Sequence, residues 1–287
     1  MVVVFCAAEP GLAGSTGLDF GRLRCGRRAG RGRFGGRRRG RGGWRALLLR
    51  AINYMTNQSV VDWPFPYSGG REWLMMISAF LDESGKFKDH SSISFAGVAG
   101  DPQDFAMFNT EWKRHLRLNG LSLLSMKNAL NANKRLSEKR AALGITNRID
   151  ALKPFAECIR RYLQNVTNVT VDVEAWRATP THLRNLWSDD PVFMAFTREL
   201  LAVMEPLGPN DNISVVCDDK EHTALPMYKL YRRVKLVYPD ARRKMASLSF
   251  ADDEVFPQLQ AADFVSSLSR LEGKKRFHGE DYEYAAL

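Results

Sequence analysis

Histidine and cysteine are scarce in this chain of 287 residues, which has five His and four Cys. His90, His115, His182, His222 and His278 share no ligand spacing, and Cys6, Cys25, Cys158 and Cys217 form no Cys-x-x-Cys pair. Neither a zinc site nor a disulfide framework is therefore written in the sequence. Cys217 ends the apolar run Ile213-Ser214-Val215-Val216-Cys217, where a thiol behaves as a small hydrophobe and suits a reducing compartment. The nucleophile elbow Gly-x-Ser-x-Gly, the P-loop and the dinucleotide fingerprint are also missing, as is any repeat of fixed period. The best candidate for a signal or membrane segment, Met1 to Ala8, lacks a basic flank and is too short to span a bilayer. The expectation is a soluble, cytoplasmic protein with no membrane partner; nothing in the sequence fixes its oligomeric state.

Lysine is absent from the first 75 residues, which carry 13 Arg and 4 acids, a net of +9 out of the +10 of the whole chain. The remaining residues hold 29 basic and 28 acidic side chains, so the pI near 9.6 is a property of the N-terminal stretch and not of the rest. Between Gly21 and Arg45, 20 of 25 residues are Arg or Gly, with Phe34 and Trp44 among them. Such a segment has too little apolar area to offset its chain entropy, and residues 1–73 are expected to be a disordered extension. It reads as a tether for RNA or single-stranded DNA, as an uncommitted tail, or as translation upstream of a start at Met55, Met75 or Met76.

From Leu74 onward the pattern alternates. The apolar run Leu74 to Leu81 is followed by Asp82-Glu83-Ser84-Gly85 and a second strand-like run, Ile93 to Val98, which together read as a hairpin. Phe105, Phe108, Trp112 and Leu116 recur at helical spacing up to Gly120. A helix over Leu152 to Leu163, a β-branched strand over Val166 to Val173, a helix over Val192 to Met204 and the strand Ile213 to Cys217 follow. Thr223 offers a cap for a helix with Met227, Leu230, Tyr231, Val234 and Val237 on one face. A strand over Met245 to Phe250 and a helix from Gln258 to about Leu271 close the pattern. A hairpin followed by alternating helices and strands predicts an α/β fold with a mixed sheet flanked by helices.

Acidic residues recur at the ends of these elements. Asp82 and Glu83 sit where the first strand stops, Asp218 and Asp219 where a later one stops, and Asp263 lies in the last helix among small and apolar residues, with Gln260 and Ser267 on its face. Ligands of α/β sheets gather at the carboxyl ends of strands, so Asp82 and Asp218 converge if their strands are neighbours. Carboxylates without His or Cys favour Mg2+ or Mn2+ over zinc. Asp, Ser and Gly are also ordinary turn and cap residues, and that reading stands beside the first. His222, four residues after Asp218, is the one histidine within reach as an acid or base.

The pair Asp82-Glu83-Ser84-Gly85 and Leu259-Gln260-Ala261-Ala262-Asp263, with Phe250-Ala251-Asp252-Asp253 between them, resembles the domain of unknown function 3800 family over residues 74–272. That resemblance leaves residues 273–287 as a C-terminal tail and implies a ribonuclease H-like fold with an acidic metal site. Carried over by position, Asp82 and Asp263 match its outer acids, and Asp218 an acid after a middle strand. Asp252-Asp253 stands where the family often has Asp-Ser, and Ser125-Met126-Lys127 lacks the family's His. The implied activity is that of a metal-dependent phosphodiesterase or nuclease acting on nucleic acid or another phosphoester. Asp82, Glu83, Asp218 and Asp263 would be catalytic, with Asp82, Asp218 and Asp263 holding Mg2+ or Mn2+, Glu83 or His222 assisting proton transfer, and Lys127 and Gln260 contacting substrate. Alternatives are a non-catalytic binding module of the same fold, or RNA binding through the Arg/Gly-rich stretch.

Overall fold

A computed structural model describes residues 76–130, 148–163, 165–184, 189–285 and 287. All of them belong to one of the chain's two compact units; the other, Ala8–Pro64, lies outside the described residues, as do the expectations for residues 1–73. The described strands are β1 (Met76–Ser84), β2 (Ser92–Gly100), β3 (Asn165–Asp172), β4 (Asn212–Asp218) and β5 (Met245–Ala251). The described helices are α1 (Pro102–Leu118), α2 (Met126–Ala129), α3 (Arg148–Tyr162), α4 (Val173–Ala178), α5 (Thr181–Arg184), α6 (Pro191–Ala202), α7 (Glu221–Val237), α8 (Pro239–Lys244) and α9 (Pro257–His278).

The strands form one mixed sheet in the order β3-β2-β1-β4-β5. β2 runs antiparallel to both β1 and β3, while β1, β4 and β5 are mutually parallel. The expected hairpin is present, but its turn lies further on than the sequence suggests. Asp82, Glu83 and Ser84 remain in the ladder, opposite Ala96, Phe95 and Ser94, and the chain reverses only over Lys86 to His90, where the amides of Asp89 and His90 donate to the Lys86 carbonyl. Pairing with β2 overrides the weak strand preference of Asp-Glu-Ser. Gly85 then serves the turn: its φ is +96°, and a Cβ there would stand 2.9 Å from both the Ser92 carbonyl oxygen and Arg270 Cδ.

Alternation along the strands divides the core. Ala79 and Leu81 of β1 with Val215 and Cys217 of β4 meet Phe196 and Leu200 of α6 and Met227, Leu230 and Val234 of α7 on one face. Phe80 and Val216 meet Phe105, Phe108 and Trp112 of α1, Phe155 of α3, and Leu259 and Phe264 of α9 on the other. The apolar positions expected on α1 are buried, and Asp101 caps it by accepting from the Asp104 amide at 2.8 Å. α7 starts two residues before the expected cap, and Thr223 instead donates its hydroxyl to the Lys220 carbonyl at 3.1 Å.

α9 continues beyond the expected helix end at about Leu271 to His278, where Gly279 ends it with φ +71°. Gly273, inside this helix, lets it approach β3: a Cβ there would lie 2.5 Å from Thr170 Cγ2. Ala would raise helix propensity, but the clash dominates. Gly273→Ala is expected to destabilise the chain by about 1–3 kcal/mol, read from urea unfolding midpoints, although Ala favours an isolated helix by about 1 kcal/mol.

Candidate active site

The side chains of β1 explain how the site is assembled. Even-numbered positions face α9 and odd-numbered ones face the α6 and α7 layer, so Asp82 and Glu83 leave one strand toward opposite faces. Asp218 has the parity of Val216 and therefore shares the Asp82 face. Parallel pairing of Leu81 with Cys217 sets the two aspartates at the same level on adjacent strands, the adjacency that their convergence required. α9 crosses that face and brings Asp263.

A lysine occupies the centre. Lys220, between β4 and α7, places its Nζ 3.0 Å from Asp82 Oδ1, 2.9 Å from Glu83 Oε1 and 3.1 Å from Asp218 Oδ2. Burial works against the Lys220 charge, but the carboxylates of Asp82, Glu83 and Asp218 outweigh it and hold the ammonium protonated well above its usual range. Asp82 is 6 % exposed, and its carboxyl is raised well above the ordinary value, first by burial and then, against the pull of Lys220, by Glu83, Asp263 and Asp218. Burial also raises Asp263, although its Oδ2 accepts from the Met126 amide at 3.0 Å and its Oδ1 from the Ser267 hydroxyl at 3.2 Å.

Asp253, which the sequence offers only as half of an Asp pair, is a fifth carboxyl of this group. It is pushed up to about 6 by burial and then by Asp218, Asp252 and Asp263. Asp252, next to Asp253, and Asp219, next to Asp218, are exposed.

The Leu-Gln-Ala-Ala-Asp run has a structural meaning. Gln260 is 1 % exposed; its Oε1 accepts from Trp112 Nε1 at 3.0 Å and from the Leu124 amide at 3.1 Å, and its Nε2 donates to the Asp253 carbonyl at 2.9 Å. The expected substrate contact at Gln260 is thus replaced by a tie between the segments that carry Asp253 and Met126, because no surface of the amide is left for a ligand. Ala261 and Ala262 are fully buried and let the helix lie close to the sheet. Lys127 is exposed next to Met126, and His222 is exposed on the first turn of α7. A further cation, Arg270, donates from Nε to Ser84 Oγ at 3.1 Å, and Ser84 is in turn 3.2 Å from Ser267, which reaches Asp263. Sequence spacing could have found Arg270, since it lies seven residues after Asp263 on the same helical face.

No protein-family model matches the chain, and no curated protein does. Solved structures do. The chain is similar to a chain of the PCNA:RNase HII complex from Archaeoglobus fulgidus, with 19% identity and a TM-score of 0.36, covering 74% of this chain and 83% of that one. It is similar to ribonuclease H2 from Pyrococcus horikoshii OT3 at 15% identity and a TM-score of 0.38, over 71% and 78% of the two chains. It is also similar to Bst-RNase HIII in complex with Mn2+ at 12% identity and a TM-score of 0.36, over 80% and 66%. The fold is ribonuclease H-like. That assignment rests on the order β3-β2-β1-β4-β5 with β2 alone reversed, and it agrees with the fold expected from the motif resemblance.

Among the described residues no group of three or more His, Cys, Asp or Glu is placed to hold a metal ion, and three of the carboxylates surround the Lys220 ammonium. The donor set nevertheless fits a hard cation. Only carboxylate oxygens converge, and a cation, the ammonium, already stands among three of them at close range. No described helix is long and apolar enough to cross a membrane.

Proposed function

We propose that the chain is a divalent-metal-dependent phosphodiesterase of ribonuclease H-like fold, with nucleic acid as its substrate class and Asp82, Asp218 and Asp263 as the residues that hold Mg2+ or Mn2+. The convergence of these carboxylates with Glu83 at the carboxyl edge of β1 and β4 carries the reading. Such a density of buried acid is unfavourable unless a cation offsets it. A divalent cation there supplies Lewis-acid activation of a phosphodiester and acidification of water. The chain's own residues would do the rest: Glu83 and Asp253 are the further acids of the group that would exchange a proton, and Arg270 offers a guanidinium beside Ser84 for a phosphate oxygen. The motif resemblance to the domain of unknown function 3800 family is consistent with the same acids, and the buried free thiols of Cys158 and Cys217 suit a cytoplasmic setting.

A polyanion is favoured over a small phosphoester by the distribution of charge. The near balance of the folded part conceals a basic stretch: residues 222–244 hold seven Lys or Arg and one Asp, and Lys229, Arg232 and Arg242 are exposed along α7 and α8. Lys220 caps the start of α7, so these exposed cations follow the carboxylate site along the chain, where they could meet phosphates.

The non-catalytic reading also has an observation in its favour, since the Lys220 ammonium already neutralises the carboxylates that a metal would need. Mn2+ titration by calorimetry, comparing the full chain with Asp82→Asn and Asp263→Asn, separates the two. The expected result is saturable binding that weakens by at least about tenfold in each variant, in keeping with the loss of a charged ligand. Absence of binding at millimolar Mn2+ in the unaltered chain would move the assignment to a binding module.

A further inference from the structure

The surroundings of Lys220 differ between its backbone and its side chain. The backbone is pinned: its amide donates to the Asp218 carbonyl at 3.1 Å, and its carbonyl accepts from the Thr223 hydroxyl at 3.1 Å and from the Ala224 amide at 3.2 Å. The side chain is 32 % exposed, so its ammonium has a route to water through rotation about its own torsions, with no change in β4 or α7. It reaches carboxylates from both faces of β1. Removing it without replacement would leave Asp82, Glu83 and Asp218 facing one another in a partly buried space.

We propose that Lys220 is a tethered cation that occupies the carboxylate cluster and yields its place when a divalent metal binds. The inference rests on the metal-site reading given above. Lys220 neutralises the acids, and it would withdraw into solvent when an ion binds through Asp82 and Asp218, the two carboxylates that it shares with the proposed metal site. The apparent metal affinity is then lower than the affinity of the open cluster, because binding draws only on the fraction of molecules in which the ammonium has left. In this arrangement the lysine sets the metal concentration at which the site fills.

Two measurements test this on the full chain. The first is Mn2+ binding by calorimetry to the unaltered protein and to Lys220→Met, which keeps a chain of similar length without the charge. If the ammonium is seated at least nine-tenths of the time, the variant binds Mn2+ about tenfold or more tightly. The second is the labelling of Lys220 by an amine-reactive reagent, read by mass spectrometry on the unaltered protein with and without Mn2+. Labelling should rise severalfold when the metal is added, in parallel with occupancy. Equal or weaker binding by Lys220→Met, or a Lys220 that stays protected at saturating Mn2+, overturns the proposal while leaving a carboxylate metal site in place. No Mn2+ binding by either protein removes the metal-site reading and this inference with it. The labelling experiment needs no substitution and decides the matter even where Lys220→Met fails to fold.

Discussion

Through Glu199 alone, stability is expected to fall by about 3 kcal/mol as the pH rises from about 5 to about 8, and Glu199→Gln is expected to remove that part of the slope. Glu199 lies on α6, is 0 % exposed, and has its carboxyl pushed up to about 8 by burial, against the opposing hydrogen bond from the Thr167 hydroxyl. Its second oxygen, Oε2, is buried without a hydrogen-bond partner. In the unfolded chain the same group titrates near 4.5. Between those two values the folded protein keeps a proton that the unfolded chain has released, so raising the pH favours unfolding. The contribution is fully present below the unfolded value and is lost as the pH climbs through the folded one. Gln keeps an acceptor for Thr167 and carries no charge at any pH. Its own NH2 group inherits the unpartnered position, so the decisive quantity is the slope and not the stability at one pH. Urea unfolding of both proteins across this range checks it; curves that run parallel would show that Glu199 is ionised in the fold or titrates normally there.

The residues that make Glu199 unusual also mark what sequence reading can reach. Glu199 follows Arg198 in a helix and looks like a solvated position. Its burial depends on Gly97 of β2, where a Cβ would stand 2.8 Å from Glu199 Oε1 and 2.5 Å from Leu81 Cδ2. Only the packing of α6 on that strand brings the two together. By contrast, α1 and β4 were legible because each writes its burial locally: four apolar residues at helical spacing in one, a short, mostly apolar run in the other.

The site divides in the same way. Asp82, Asp218 and Asp263 could be singled out because each is an acid at the end of, or inside, an apolar element. The extension of β1 through Ser84 was hidden by a composition that favours turns, and pairing across to β2 decided the matter. Lys220 was invisible for a different reason. A lysine after two aspartates is commonplace, and its role appears only when parallel pairing of β1 with β4 brings acids 138 and 137 residues away to its ammonium. Gln260 stood out by its motif, but sequence shows neither Trp112 nor Leu124 beside it.

If the chain is the phosphodiesterase proposed above, cleavage should be most sensitive to Asp82. With Mn2+ and a panel of RNA, DNA and RNA–DNA hybrid duplexes, Asp82→Asn is expected to lower the rate on whichever substrate is cut by about 10²–10³-fold, the scale set by removing one preorganised electrostatic group from a reacting centre. Asp82 is the most buried of the cluster's acids and interacts with Lys220, Glu83, Asp263 and Asp218 together, so its charge cannot be replaced by a shift of one neighbour. Asn keeps its size and its capacity to accept the Glu83 amide hydrogen bond of 2.8 Å, so the fold at the strand end should survive. Asp219→Asn supplies the comparison. Asp219 is adjacent to Asp218 in sequence but is exposed, and its backbone amide, which donates to the Ala251 carbonyl at 2.9 Å, is untouched by the substitution. Its rate should stay within about threefold of the unaltered protein, as for a solvent-screened charge. An equal loss in both variants would mean that the rate follows the general acidity of this edge, and cleavage undiminished in Asp82→Asn would remove the carboxylate cluster from the chemistry.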